Sequence, residues 1–160
     1  DKNAEKADLL VAEQRTWLES TLRESDANLH LIVSGTQFLS AEHRWEKWAD
    51  YPEMREWLLK ILAEEGMPMT VLLSGDRHIH EISVLENDSF DYPLVDITSS
   101  GMTHYWDNFP GEKNCLRHGE VFAGLGFGVL RIDWSGSSPI VTVEIRDQAN
   151  EVQNEFVIER

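Results

Sequence analysis

The 160-residue chain has one cysteine, Cys115. No disulfide can form within it, and the compartment stays open, since secreted bacterial proteins can lack disulfides too. No apolar run approaches the roughly 18 residues of a membrane-spanning helix, and no signal-peptide pattern opens the chain. Basic residues are scarce: 14 Lys and Arg face 29 Asp and Glu, a formal net charge of −15. That argues against nucleic-acid binding, which rests on cations neutralising phosphates. No Gly-x-Ser-x-Gly elbow precedes a helix and Cys115 lacks a strand-and-helix setting, so neither a serine nor a cysteine nucleophile emerges. Hydrophobic residues make up 41% of the chain and include six Trp, enough to bury an aromatic-rich core in one globular domain. Asp1 to Asp8 forms a charged lead-in without an initiating Met, as expected of a fragment or a processed chain.

Leu10, Trp17, Leu18 and Leu22 recur at near-helical spacing and predict an amphipathic helix over Leu9 to Arg23. A short apolar strand, Leu29 to Val33, follows and ends at Ser34-Gly35. Asp50, Pro52 and Glu53 predict a capped helix start, Met54, Trp57, Leu58, Ile61 and Leu62 its buried stripe, and Gly66 with Pro68 its stop. The next strand, Thr70 to Leu73, again ends in Ser-Gly. Strand, helix and strand predict a right-handed parallel crossover with both Ser-Gly ends at one sheet edge, where open α/β sheets bind ligands. Gln37 and the residues after Gly75 should therefore face one cleft. Beyond Ile82 the texture turns β-rich, with strands expected at 82–85, 94–98, 122–134, 140–145 and 152–158, arranged as an antiparallel meander. The fold class is α/β (α+β), parallel in its first half. A strand rather than a helix follows Gly124-Leu125-Gly126-Phe127-Gly128, so these glycines mark a bulge or close packing rather than a phosphate loop.

Ligand-type side chains are densest in Ser74-Gly75-Asp76-Arg77-His78-Ile79-His80. If the backbone stays extended, Asp76, His78 and His80 point to one face as carboxylate and imidazole ligands for a divalent metal. A solvated surface strand gives the same alternation. Ser99 to Trp106 places His104 and several hydroxyls on a loop at a strand end, where a packed turn is the competing explanation. In the loop Asn114 to His118, Arg117 or His118 could meet an anionic substrate. His30 and His43 fit structural roles.

Several segments together resemble one family. Ser74-Gly75-Asp76-Arg77-His78 with Glu81 is similar to the Gly-Asp-x-His signature of PhoD-like alkaline phosphatases and phosphodiesterases, of the calcineurin-like metallophosphoesterase superfamily. Glu13-Gln14 through Trp17-Leu18-Glu19 resembles the family's Gln-x-x-Trp-Leu helix, and Val33 to Gln37 its strand end. Trp48-Ala49-Asp50-Tyr51-Pro52 with Arg55 resembles its Trp-x-x-Tyr-Pro-x-x-Arg segment, and Ser99 to His104 its Ser-Ser-Gly-x-Thr-His turn.

The resemblance implies a metal-dependent phosphoric ester hydrolase built on a β-sandwich flanked by helices. Asp76 and His78 would each bind one metal of a two-metal centre, with Gln37 and His80 as further candidates. Arg77 would act at the phosphate or beside the metals; from the loop readings above, His104 and Arg117 are the candidates to meet the substrate, with a packed turn and a solvated loop as the competing explanations. Implied cofactors are two or more metal ions, Ca and Fe or Zn/Mn, and the implied location is periplasmic or secreted. The superfamily's opening Asp-x-His, middle Gly-Asp-x-x-Asp and Gly-Asn-His/Asp motifs have no match in 1–160, so this range resembles a carboxyl-terminal portion whose partner is the amino-terminal portion of the same polypeptide. A metal hydrolase of another ester or lactone class and a non-enzymatic β-rich binding domain are the rivals.

Overall fold

A computed structural model describes residues 9–160. Helix α1 spans Ala12–Arg23 and α2 spans Pro52–Leu62, with a single 3-10 turn at Trp48–Asp50 just before α2. Among the described residues, eight strands form two sheets. The five-stranded sheet contains β1 (Leu29–Val33), β2 (Met69–Ser74), β3 (His80–Leu85), β4 (Leu94–Ser99) and β5 (Arg117–Phe122), in the order β1-β2-β4-β3-β5. The three-stranded sheet is a meander of β6 (Gly126–Asp133), β7 (Ile140–Asp147) and β8 (Val152–Ile158).

The predicted crossover is present: β1 and β2 run parallel, Leu29 opposite Met69 through Val33 opposite Leu73. The predicted meander holds only for β6, β7 and β8. Strand β4 instead enters the larger sheet between β2 and β3, parallel to the first and antiparallel to the second. Its sequence explains the position, since Leu94 to Thr98 are all buried, as a strand covered on both faces must be. The range 122–134 divides into β5 and β6, and Arg117 and His118 belong to β5 rather than to a loop.

Alternation along β4 separates two environments. Ile97 faces the smaller sheet, where a Cβ added at Gly128 would lie 3.1 Å from its Cδ1. Asp96 and Thr98 face the opposite side, over residues 37–39. Leu58, Ile61 and Leu62 of α2, Leu72 and Val95 of the larger sheet and Val143 and Ile145 of the smaller one belong to one apolar cluster. The glycines after β5 serve close packing, as expected: a Cβ at Gly124 would meet the Phe122 ring at 2.5 Å, and one at Gly126 would strike the Arg146 carbonyl.

Helix α2 starts with Pro52 in its first turn, but its N-cap is Tyr51 and no side chain caps it. Asp50 instead pairs with Lys47 at 3.0 Å, so the expected capping box is not formed. Gly66, at φ +81°, ends the region as expected. In α1 only Leu22 is buried, and Trp17 of the expected stripe is 65% exposed.

Candidate metal-binding loop and its cleft

Strand β2 stops at Ser74, and the chain does not stay extended through the ligand-rich cluster. Asp76 and His78 adopt φ of +65° and +54°, the left-handed region. Arg77 N–H donates to the Gly75 carbonyl at 2.8 Å, closing a tight turn around Asp76. This overturns the expectation that Asp76, His78 and His80 share one strand face. Non-glycine residues held at positive φ are strained by roughly 1–2 kcal/mol each and gather where a site dictates the backbone.

Three hydrogen bonds strap this loop to the segment after β4. His78 N–H donates to Ser100 Oγ at 3.1 Å, Trp106 N–H to the His78 carbonyl at 2.7 Å, and Ser100 N–H to the Ile79 carbonyl at 3.2 Å. They bring His104 onto His78, with the two Nε2 atoms 3.0 Å apart and the rings edge to face at 4.1 Å. Both imidazoles and the Asp76 carboxylate are exposed. Asp76, Arg77 and His78 line an open cleft of about 600 Å³ together with Arg44, Trp45, Tyr105, Trp106 and Asp107.

Arg77, expected at the phosphate, turns inward and is 5% exposed. Its guanidinium donates to Gln37 Oε1 at 2.9 Å and to Glu112 Oε2 at 2.5 Å. Gln37, expected as a ligand, is fully buried, and its Nε2 donates to Glu81 Oε1 at 2.6 Å and Thr98 Oγ1 at 2.7 Å. Arg117, expected at the substrate, donates through Nε to Glu81 Oε2 at 2.8 Å. Register explains the gathering: Ser74 and Glu81 both lie opposite Thr98, so their side chains form one row beneath Gln37. Below that row the Asp96 carboxylate accepts from Phe38 N at 2.8 Å, Leu39 N at 3.0 Å and Ser74 Oγ at 2.8 Å. Burial outweighs these bonds and pushes its pKa up to about 6.

His80, one residue before Glu81, must face the other side of the sheet. Its ring packs against Phe122 with centroids 5.6 Å apart, fully buried, and burial lowers its pKa. His43, buried beside Arg77, accepts from Trp45 N–H at Nδ1; burial, then the Arg77 and Lys47 charges, lower its pKa to about 4. The structure thus brings His78 and His104 together, with Asp76 exposed two residues before His78 on the same loop, and leaves Gln37, His80 and Arg117 in the frame behind them.

A family model described as PhoD-like phosphatase matches residues 1–107. The chain belongs to the PhoD-like phosphatase family. A solved structure described as "Structure of PhoD" superposes with a TM-score of 0.67 at 16% identity over 94% of this chain, confirming the mixed α/β fold. The chain spans 32% of that structure's length. No curated protein matches it. The matched range includes Asp76, His78 and His104. No described helix is long and apolar enough to cross a membrane.

Glu112 and Asp96 escaped the sequence reading. Glu112 lies in an aperiodic stretch with no local signal. Asp96 did carry one, as a lone acid inside the apolar run Leu94 to Thr98.

Proposed function

We propose that this chain forms one wall of a metal-dependent phosphoric ester hydrolase site, of the alkaline phosphatase or phosphodiesterase type. The observation that supports it is the meeting of His78 and His104 at 3.0 Å on a strained loop that also exposes Asp76. A carboxylate and an imidazole on one cleft, Asp76 and His78, with the His104 imidazole against His78, are donor types suited to divalent or trivalent metals. It is a partial set, since among the described residues no group of three or more His, Cys, Asp or Glu is gathered to hold an ion. In this reading the remaining donors come from outside residues 1–160, which span 32% of the length of the solved structure they match. The metals, two or more and of the Ca and Fe or Zn/Mn kind, would supply an activated water and charge neutralisation at phosphorus.

The chain's own residues do the rest. Asp76 and His78 supply donors, and His104 orients His78 or shares its ion. Arg77, tied to Gln37 and Glu112, holds the loop at its positive φ rather than touching substrate. A periplasmic or secreted location fits the family. The test is turnover of p-nitrophenyl phosphate and its bis-ester by the full polypeptide, with and without chelator. Metal-dependent turnover of either ester is expected, and chelator-insensitive turnover, or none, would sink the reading.

A further inference from the structure

The cleft has a second wall that the phosphoester chemistry leaves unused. Trp45 and Trp106 meet edge to face at 84° with centroids 5.9 Å apart, and Phe109 backs Trp106 at 5.2 Å. Arg44 lies over the Trp45 ring at 4.7 Å. Trp45 is nevertheless 41% exposed, and both indoles line the cleft that holds Asp76 and His78. Large aromatics left open at a concave surface, with their positions fixed, offer a binding face rather than a core.

Their positions are fixed on both sides. The Trp45 indole N–H donates to Glu112 Oε1 at 3.1 Å, and the other oxygen of that carboxylate holds Arg77. The backbone N–H of Trp106 donates to the carbonyl of His78 itself, and its ring is held between Trp45 and Phe109. The wall is therefore one hydrogen bond from the Asp76–His78 loop through the Trp106 backbone and two through Trp45 and Glu112, beside the place where a phosphate would sit.

We propose that Trp45 and Trp106, with Arg44 at the rim, form a subsite for the aromatic ring of a phosphate ester whose phosphoryl group lies at Asp76, His78 and His104. The inference rests on the phosphoester reading for where the phosphate sits. Planar rings gain from stacking on indole and from the guanidinium above it, while saturated rings of similar size gain only from apolar contact.

Calorimetric titration of the full, metal-loaded polypeptide with phenylphosphonate, cyclohexylphosphonate and methylphosphonate tests this without turnover. Phenylphosphonate should bind about ten-fold more tightly than methylphosphonate, as one stacked ring allows, and more tightly than cyclohexylphosphonate. The preference should fall to within about two-fold in Trp106→Leu and weaken in Arg44→Ala. Equal affinity for phenyl and cyclohexyl, undetectable phenylphosphonate binding, or an aromatic preference that survives Trp106→Leu would overturn the subsite. A phenyl preference in a protein that hydrolyses neither nitrophenyl ester would overturn the phosphatase reading and leave the subsite standing.

Discussion

The Nε2 atoms of His78 and His104 lie 3.0 Å apart although 26 residues separate them in sequence. Their approach follows from the strap of hydrogen bonds between the loop before β3 and the segment after β4. His104→Ala in the full polypeptide should lower kcat toward p-nitrophenyl phosphate by about 10–100-fold, the usual effect of losing a ligand or its orienting partner. Metal content by elemental analysis should fall in parallel. Unchanged activity and metal content would separate His104 from the site.

Arg77 connects the loop to the interior, and removing it leaves Glu112 Oε2 and Gln37 Oε1 without this donor. Arg77→Met keeps the volume, yet unfolding in urea should show a loss of about 3 kcal/mol, the size expected for a broken buried ion pair. Arg77→Lys has one charged head where the guanidinium reaches two acceptors, so it should recover only part of kcat. The KM of that variant should stay near wild type, as expected of a residue that positions others.

His80 acts through packing, and Gly101 is its counterpart. A Cβ at Gly101 would collide with His80 Nε2 and come within 2.8 Å of the Gly124 carbonyl. Gly101→Ala should destabilise the protein by about 2 kcal/mol by overpacking and reduce activity by displacing His104. His80→Ala should relieve part of that defect, a coupling readable in a double-mutant cycle, and should leave metal content unchanged.

Asp96 sets a pH dependence. Its pKa is about 6 in the fold against an ordinary 3.8, so the folded state holds this proton more tightly than the unfolded chain. Its contribution is full below about pH 4 and is lost as pH rises through about 6, by about 3 kcal/mol at 1.36 kcal/mol per unit. Asp96→Asn retains an oxygen for the Phe38 and Leu39 amides while removing the titration. The stability difference between Asp96→Asn and wild type, measured by denaturant unfolding, should therefore grow between pH 4 and pH 6 and level off above it.

The crossover was legible because Leu31 to Gly35 and Val71 to Gly75 repeat one pattern of apolar run and Ser-Gly stop. The cleft cluster was legible because Asp76, His78 and His104 are polar residues at strand ends. Backbone sign was not: nothing in the residue types tells that Asp76 and His78 sit at positive φ, the first inside the Gly75–Arg77 turn and the second held by bonds to Ser100 and Trp106. Parity then decided what composition left open, placing Glu81 with Gln37 and His80 on the opposite face. Strand β5 was hidden because Arg117-His118-Gly119-Glu120 carries no apolar alternation at its edge position. The place of β4 was hidden because sequence neighbours normally pair, whereas β2 and β3 are held apart by it.

Trp106 hangs from the carbonyl of His78, and Trp45 shares a carboxylate with Arg77. A displacement of the loop pulls directly on the Trp106 backbone and, through Glu112, on the Trp45 indole. The groove for the ring and the donors for the phosphate thus sit on separate segments joined by these few bonds, so breaking the Glu112 link should loosen selectivity before it loosens the donors.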